Sequence, residues 1–420
     1  MLAGYVGWSQ ADYSKRSSTL DSYVVSFRQQ RWERPILRGL GTEGNAAVRA
    51  WEALDGFAGL SDADRDALAL SLSVNEPLSD AQRTLLGAHV DRIERVRAAT
   101  RFTWSMAQLP LEQGLRMSAP AYPRAIDAAL LMLGHALTQE PDACLEEAAD
   151  AVRFGQDLVP GAPLEAVSIA TRIASLASPV ASRCAQGASQ SAMLRAAHEF
   201  HVMATTAPPI GFNIEFSDLV LLVELRDQAN LFSPHGDASA WTRLRQRPGL
   251  YDAWTYVDRP MRWRSLRSTA YPETLSTWRR EHEWRAQAMA PLVARESAGV
   301  LGWIYDDMRG QALLRATAVG LATLADRTRQ GRIPATPVGV SDTALRDPFS
   351  GRSLRWRIAQ DGSEITLWAV GEDLRDDKGT DEWAPQAPLD VAVHVGFPPL
   401  TPAKAVARTA QRRHWLRVNK

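Results

Sequence analysis

The sequence predicts a mainly α protein: a helical-hairpin, repeat-like bundle followed by a small α+β module with a short antiparallel sheet. Three observations carry this expectation. Apolar residues recur at three- and four-residue steps through most of the chain before Gly331. Breaks at Ala119-Pro120, Glu140-Pro141, Pro160-Gly161-Ala162-Pro163 and Pro208-Pro209 divide those runs into helix-sized pieces. After Gly331 the pattern changes to short β-type runs between Pro and Gly residues.

Taken in order, Ser61-Asp62-Ala63-Asp64 and Ser79-Asp80-Ala81-Gln82 are helix starts of the capping-box kind. In that arrangement a serine hydroxyl accepts from an N–H three residues on. From Ser79 the apolar residues Leu85, Leu86, Val90, Ile93 and Val96 line one helix side. Further helices are expected at Tyr122–Leu137, Pro141–Leu158, Leu164–Cys184, Ser189–Thr205, Pro272–Ala294 and Val300–Gln330. Successive pairs, 122–137 with 141–158 and 164–184 with 189–205, read as hairpins whose stacking would bury a continuous core. No register recurs at a fixed period, so the packing is repeat-like and not a true repeat.

Strands are expected at Leu354–Ile358, Ile365–Val370 and Leu389–Val395, with the helix Val300–Gln330 lying across their sheet. The division that follows is 1–299 helical, 300–398 the α+β module and 399–420 a basic tail. Pro402–Lys420 carries six cations and no acid, and reads as a solvated terminal helix.

Composition bounds function. Of 420 residues 45% are apolar and 23% charged, the profile of a folded chain of two or three domains. Lys plus Arg and Asp plus Glu are 48 each, so there is no basic excess for coating nucleic acid. Only Lys15, Lys378, Lys404 and Lys420 are lysines, an Arg bias read as the codon usage of a GC-rich genome. The longest apolar runs, Ala128–Leu133 and Leu219–Val223, fall short of the ~18 residues that cross a bilayer. Met1–Ser9 lacks the basic and apolar regions of a signal peptide. The chain reads as soluble, with a membrane anchor ahead of it as the alternative. Cys144 and Cys184 are too few for a disulfide scaffold or a Cys-only zinc site. They are expected to be two buried thiols, with one disulfide as the alternative in an oxidising compartment.

Several patterns carry chemistry. Gly39-Leu40-Gly41-Thr42-Glu43-Gly44 matches G-x-G-x-x-G, but the short, Pro-interrupted Arg34–Arg38 is not a central parallel strand. It reads as a glycine-rich turn before a helix at Asn45. His198-Glu199-Phe200-His201 puts two imidazoles three apart on a helix, and Glu281-His282-Glu283 is comparable. Neither is H-E-x-x-H and neither shows a third ligand, so both read as satisfied or surface histidines. The segment Arg259–Arg285 interleaves Arg262, Arg264, Arg267, Arg279, Arg280 and Arg285 with Trp263, Trp278 and Trp284. Glu273, Glu281 and Glu283 break up its charge, which favours an ion-paired helix face. Gly371–Glu382 (GEDLRDDKGTDE) sets six carboxylates against two cations in a loop between strands, with Asp390 beyond it. Such a loop suits a hard cation taking six to eight oxygens, although the spacing is not an EF-hand.

The residues around that loop carry a resemblance. Gly331-Arg332-Ile333-Pro334, Asp347-Pro348-Phe349-Ser350-Gly351, Leu354-Arg355-Trp356, Leu367-Trp368-Ala369-Val370-Gly371-Glu372-Asp373 and Asp390-Val391 follow one another in order. Together they resemble the C-terminal part of the major (G-type) pseudopilins of type II secretion. The resemblance covers about 60 residues. It implies a calcium loop with side-chain ligands at Asp373 and Asp390 and backbone carbonyls such as Leu367 and Arg375. Ala369 stands where the family has Ser and Leu374 where it has Gly, so Asp376 or Asp377 would supply the missing oxygen. The whole chain also resembles uncharacterised bacterial envelope proteins with an N-terminal membrane helix and a long helical middle. The shared early motif is Arg34-Pro35-Ile36-Leu37-Arg38-Gly39 through Gly44-Asn45-Ala46. These likenesses imply a cell-envelope or periplasmic location, a cytoplasmic one being the alternative.

The expected role is a non-enzymatic envelope scaffold or interaction protein that engages protein partners and no nucleic acid, with a calcium-stabilised C-terminal module. Two alternatives stand beside it. One is an enzyme with His198, Glu199 or His201 in a groove of the helical domain. The other is a ligand-binding helical array using Trp263, Trp278 and Trp284. Asp347 is expected to start a turn with Pro348 and not to bind metal.

Overall fold

Alternating caps and breakers set the element order in the computed structural model. It describes residues 2–39, 41–73, 77–117, 120–230, 239, 242–244, 300–330, 333–337, 341–359, 364–379 and 390–396. The chain runs through α1 (Leu2–Arg28), β1 (Trp32–Glu33), β2 (Thr42–Asn45), α2 (Ala46–Ala53), α3 (Asp62–Ser73), α4 (Asp80–Ala88) and α5 (Val90–Ala99). It continues with β3 (Phe102–Ser105), α6 (Tyr122–Ala136), α7 (Pro141–Asp157), α8 (Glu165–Cys184), α9 (Gln190–Thr205) and α10 (Gly211–Ala229). After residues outside the described set come α11 (Val300–Gln330), β4 (Arg355–Ile358), β5 (Glu364–Ala369) and β6 (Val391–Gly396). The molecule is mainly helical with a small antiparallel sheet near its C-terminal end, as the sequence predicts. The expected helix Pro272–Ala294, the Arg259–Arg285 segment, Glu281-His282-Glu283 and the basic tail lie outside the described residues.

The caps are those expected. Ser79 and Gln82 form a full capping box on α4, and Ser61 Oγ accepts from the Asp64 N–H (3.1 Å) ahead of α3. Ser189 caps α9, and its N–H and hydroxyl also donate to Asp142 at the start of α7, both at 2.7 Å. Pro141 opens α7, where a missing N–H costs nothing. Asn45 caps α2 through the Ala47 N–H.

The Gly39–Gly44 turn does lead into a helix, but it also contributes a strand. β1, β3 and β2 form a three-stranded sheet in that order, β1 antiparallel and β2 parallel to β3. A Cβ on Gly41 would meet Ile36 Cδ1 at 2.4 Å, and one on Gly44 would meet the Phe102 ring at 2.6 Å. The glycines therefore let β2 lie close to β3, with no ligand needed to explain them.

The pair α6 and α7 packs as expected. The second pair does not behave as a hairpin: α8 and α9 both pack along α11. Small residues on α11, Ala312, Ala316, Ala318 and Ala322, are fully or almost fully buried and admit this close three-helix contact. Side-chain bonds fix its register: Ser168 to Asp306, Thr171 Oγ1 to the Asp306 carbonyl (2.7 Å) and Thr317 Oγ1 to Ser178 Oγ (2.9 Å).

The same α11 also covers the sheet β4–β5–β6, an antiparallel meander with Leu367 opposite both Trp356 and Val393. Ile365, Leu367, Ala369, Val391, Val393 and Val395 belong to the same apolar cluster as the interior of α6–α9. The boundary at residue 299 thus marks a change of sequence character, while the cores on its two sides are continuous. A smaller cluster joins Leu20, Val24 and Phe27 of α1 to Phe216, Leu219 and Val223 of α10. Among the described residues, no helix is long and apolar enough to cross a membrane.

Cys144, at the start of α7, and Cys184, at the end of α8, are joined in a disulfide. The expectation of two buried thiols is corrected. Both side chains are buried as expected, but antiparallel packing of α7 on α8 brings them face to face.

Candidate functional site

The acidic loop leaves β5 at Val370 and returns at Asp390, of which 371–379 and 390 are described. Asp373, Asp376 and Asp390 each have a distinct partner set. Asp376 Oδ1 accepts from Trp368 Nε1 and the Lys378 N–H, both at 3.0 Å, and Oδ2 pairs with Arg355 Nε at 2.9 Å. Asp373 Oδ1 accepts from the Arg375 N–H at 3.0 Å, a local turn. Asp390 is buried, and its Oδ2 accepts from the Gly379 N–H at 2.8 Å. Its Oδ1 is buried with no hydrogen-bond partner among the described residues. Burial pushes the Asp390 carboxyl up, and the nearby charges of Asp376 and Asp377 add to the push against backbone donors at Gly379 and Asp377.

Backbone geometry presses the loop onto the sheet. Leu374 and Lys378 both adopt φ of 59°, a left-handed conformation costly for residues with a Cβ. Gly379 lies against the Trp368 indole, where an added Cβ would meet the ring at 2.9 Å. The loop is thus a strap over the outer face of β5, held by Trp368, Arg355 and Asp390.

Of the residues expected to bind calcium, Asp376 and Asp377 lie near enough to Asp390 for their charges to act on it. Asp373 and Arg375 stand together further along the loop, and Glu372 beside Asp373 pairs with Arg309 of α11 at 3.3 Å. Leu367 sits mid-strand in β5 with neighbours on both sides. Among the described residues, no group of three or more His, Cys, Asp or Glu side chains is arranged to hold a metal. Asp381 and Glu382 lie outside them.

Asp347 starts the turn, as expected. It is fully buried; Oδ1 accepts from the Phe349 N–H (2.7 Å), and Oδ2 from Ser350 Oγ (2.6 Å) and the Val370 N–H (3.1 Å).

The α9 residues do not gather into one site. His198 is exposed. Glu199 is buried and pairs with Arg38 at 2.8 Å; burial drives its carboxyl up to about 7 against the pull of Arg38. His201 Nε2 bonds Ser341 Oγ at 3.0 Å, and its buried Nδ1 has no partner. Burial lowers the affinity of His201 for a proton, and Arg315 and His198 lower it further. The sequence did not single out Arg38 or Ser341 as partners of these groups, since sequence distances of 161 and 140 residues separate them. Nor did it single out Asp307, a carboxyl of α11 raised by burial to about 7 and bonded by Gln311 Nε2 at 2.9 Å.

No family model, curated protein or solved structure matches the chain.

Proposed function

We propose that this protein is a non-catalytic scaffold or interaction protein of the bacterial cell envelope, with a C-terminal module steadied by calcium. The observation that carries the reading is the Cys144–Cys184 disulfide. Disulfides persist in oxidising compartments and are rare in the reducing cytosol. The resemblance of residues 331–391 to pseudopilins supports the same location.

Calcium fits the strap on one observation. Asp390 Oδ1 is a buried carboxylate oxygen without a donor, beside the like charges of Asp376 and Asp377. Such an oxygen is costly unless a cation or proton meets it. Asp390 would supply the anchoring oxygen, with Asp377 as a companion whose charge already acts on it. When bound, the ion would screen the carboxylates and pin the strap. Of the residues offered as acid–base groups, Glu199 seats Arg38 and His201 ties α9 to the segment entering the sheet, contacts that support a structural role.

Two measurements test the reading. Protein from its native cells, denatured without reductant, should resist thiol alkylation at Cys144 and Cys184 until reduced. Free alkylation of both would exclude the envelope location. The purified metal-free chain should melt higher in millimolar-range calcium, and Asp390→Asn should abolish the shift while keeping the fold. An equal melting temperature with calcium and with chelator would rule the ion out and leave the strap a solvated loop.

A further inference from the structure

Alternation along β4 puts Arg355 and Arg357 on one face of the sheet, in register with Trp368 and Thr366 of β5. Their surroundings differ. Arg357 is exposed and makes no ion pair among the described residues. Arg355 lies between two carboxylates. Its Nε pairs with Asp376 Oδ2 of the strap at 2.9 Å, and its Nη1 comes within 3.9 Å of Oδ2 of the buried Asp347. That Nη1 is itself buried, with no hydrogen-bond partner among the described residues.

The carboxylate that Arg355 holds stands next to the oxygen offered to calcium. Asp376 Oδ1 accepts from the Lys378 N–H and Asp390 Oδ2 from the Gly379 N–H, so the two side chains grip consecutive amides of one turn. Asp376 Oδ1 also accepts from Trp368 Nε1 at 3.0 Å. Oδ2 is then the Asp376 oxygen left for a cation, and the Arg355 guanidinium occupies it. A guanidinium stays charged at every pH a protein tolerates, so this occupant does not switch off by itself.

We propose, resting on the calcium reading above, that Arg355 is a tethered cation: it closes the strap while no metal is bound and competes with calcium for Asp376. Two cations on one carboxylate oxygen repel each other at a few ångströms. An ion anchored at Asp390 Oδ1 that draws on Asp376 therefore displaces the guanidinium, and its affinity falls by the strength of that charge-assisted pair. Displaced, Arg355 keeps Asp347 beside Nη1. The competition sets the site towards the weak end of calcium binding, ~10⁻⁴–10⁻³ M, where extracellular modules work.

Calorimetric titration of the full chain with calcium chloride tests this, together with melting in chelator. Arg355→Gln should bind calcium about tenfold more tightly, the scale of one hydrogen bond to a charged group. It should also melt lower in chelator, because the strap has lost its own cation. Those changes have opposite signs, whereas a residue that only supports the loop would weaken both. Arg357→Gln removes the same charge from the same face without touching Asp376. It should shift affinity by less than about threefold, the scale of an exposed charge. In an Asp376→Asn background, Arg355→Gln should no longer tighten binding. If the parent binds calcium and Arg355→Gln binds no tighter, the competition is overturned and the calcium reading stands. An equal gain in Arg357→Gln, or a gain that persists with Asp376→Asn, would overturn it too. Binding by Arg355→Gln alone would support the tethered cation and remove calcium from the native chain. Binding by neither would remove both.

Discussion

Asp347 carries more of the C-terminal module than any exposed charge in it. Three backbone N–H groups and one hydroxyl converge on its buried carboxylate, joining the turn at Phe349 and Ser350 to the end of β5 at Val370. Asp347→Ala leaves those N–H groups without an acceptor in an apolar site. It should lower stability by at least about 1–3 kcal/mol, read as a fall in the urea midpoint at unchanged slope. A variant within ~0.5 kcal/mol of the parent, the range of neutral surface changes, would show that water reaches the turn. The Asp-Pro pair made the turn at Asp347 legible in the sequence, because that signal is local. The division of labour among Asp373, Asp376, Asp377 and Asp390 was not legible. It depends on Trp368, Arg355 and Gly379 arriving from other parts of the fold, and a charge count weighs all four alike.

At the level of elements, α11 is the organiser, and Gly320 is where it comes nearest the sheet. A Cβ there would meet Val395 Cγ2 at 2.4 Å and Val395 Cβ at 3.0 Å. Gly320→Ala gains up to ~1 kcal/mol in helix propensity but overpacks a rigid strand, at about 1–3 kcal/mol. Net loss is expected. Gly302→Ala, on the same helix with nothing within 4 Å of the added methyl, should gain instead. Thermal melts of both variants decide it: two gains would mean that β6 yields freely. Helices 122–205 were legible to within about a residue at most ends because caps, Pro breaks and one-sided periodicity agree there. α10 was not, since Asn213, Glu215 and Asp218 are buried among its apolar residues and blur the period. The Asn213 carboxamide donates to the Val159 and Ala162 carbonyls, partners that no local pattern shows. The packing of α8 and α9 along α11 was hidden for the same reason, the wedge arriving from beyond residue 299.

Several carboxyls buried among the described residues shift in one direction, and this shapes how stability follows pH. Glu199 rises from 4.5 to about 7 and Asp307 from 3.8 to about 7, each chiefly by burial. Burial raises Asp150 and Asp157 in the same direction. Between the unfolded and folded values the native state binds more protons than the unfolded chain, so each group withdraws stability as pH rises through that window. His135 has the same sign: its contribution is complete below 6.5 and is lost as pH rises through its higher native value. Asp142, lowered by the Ser189 N–H, contributes above 3.8 and fails only in stronger acid. His89 and His201, lowered chiefly by burial, oppose this and withdraw stability as pH falls below 6.5. The carboxyls and His135 outnumber them, so the melting temperature should be highest in mild acid and fall as pH climbs through about 7. The double variant Glu199→Gln, Asp307→Asn keeps both shapes without the titration and should flatten that fall. A melting temperature that climbs steadily from mild acid towards pH ~8 would instead mean that the Arg38–Glu199 ion pair and the charge of Arg315 near Asp307 outweigh burial. Glu199 and Asp307 would then be ionised in the native protein.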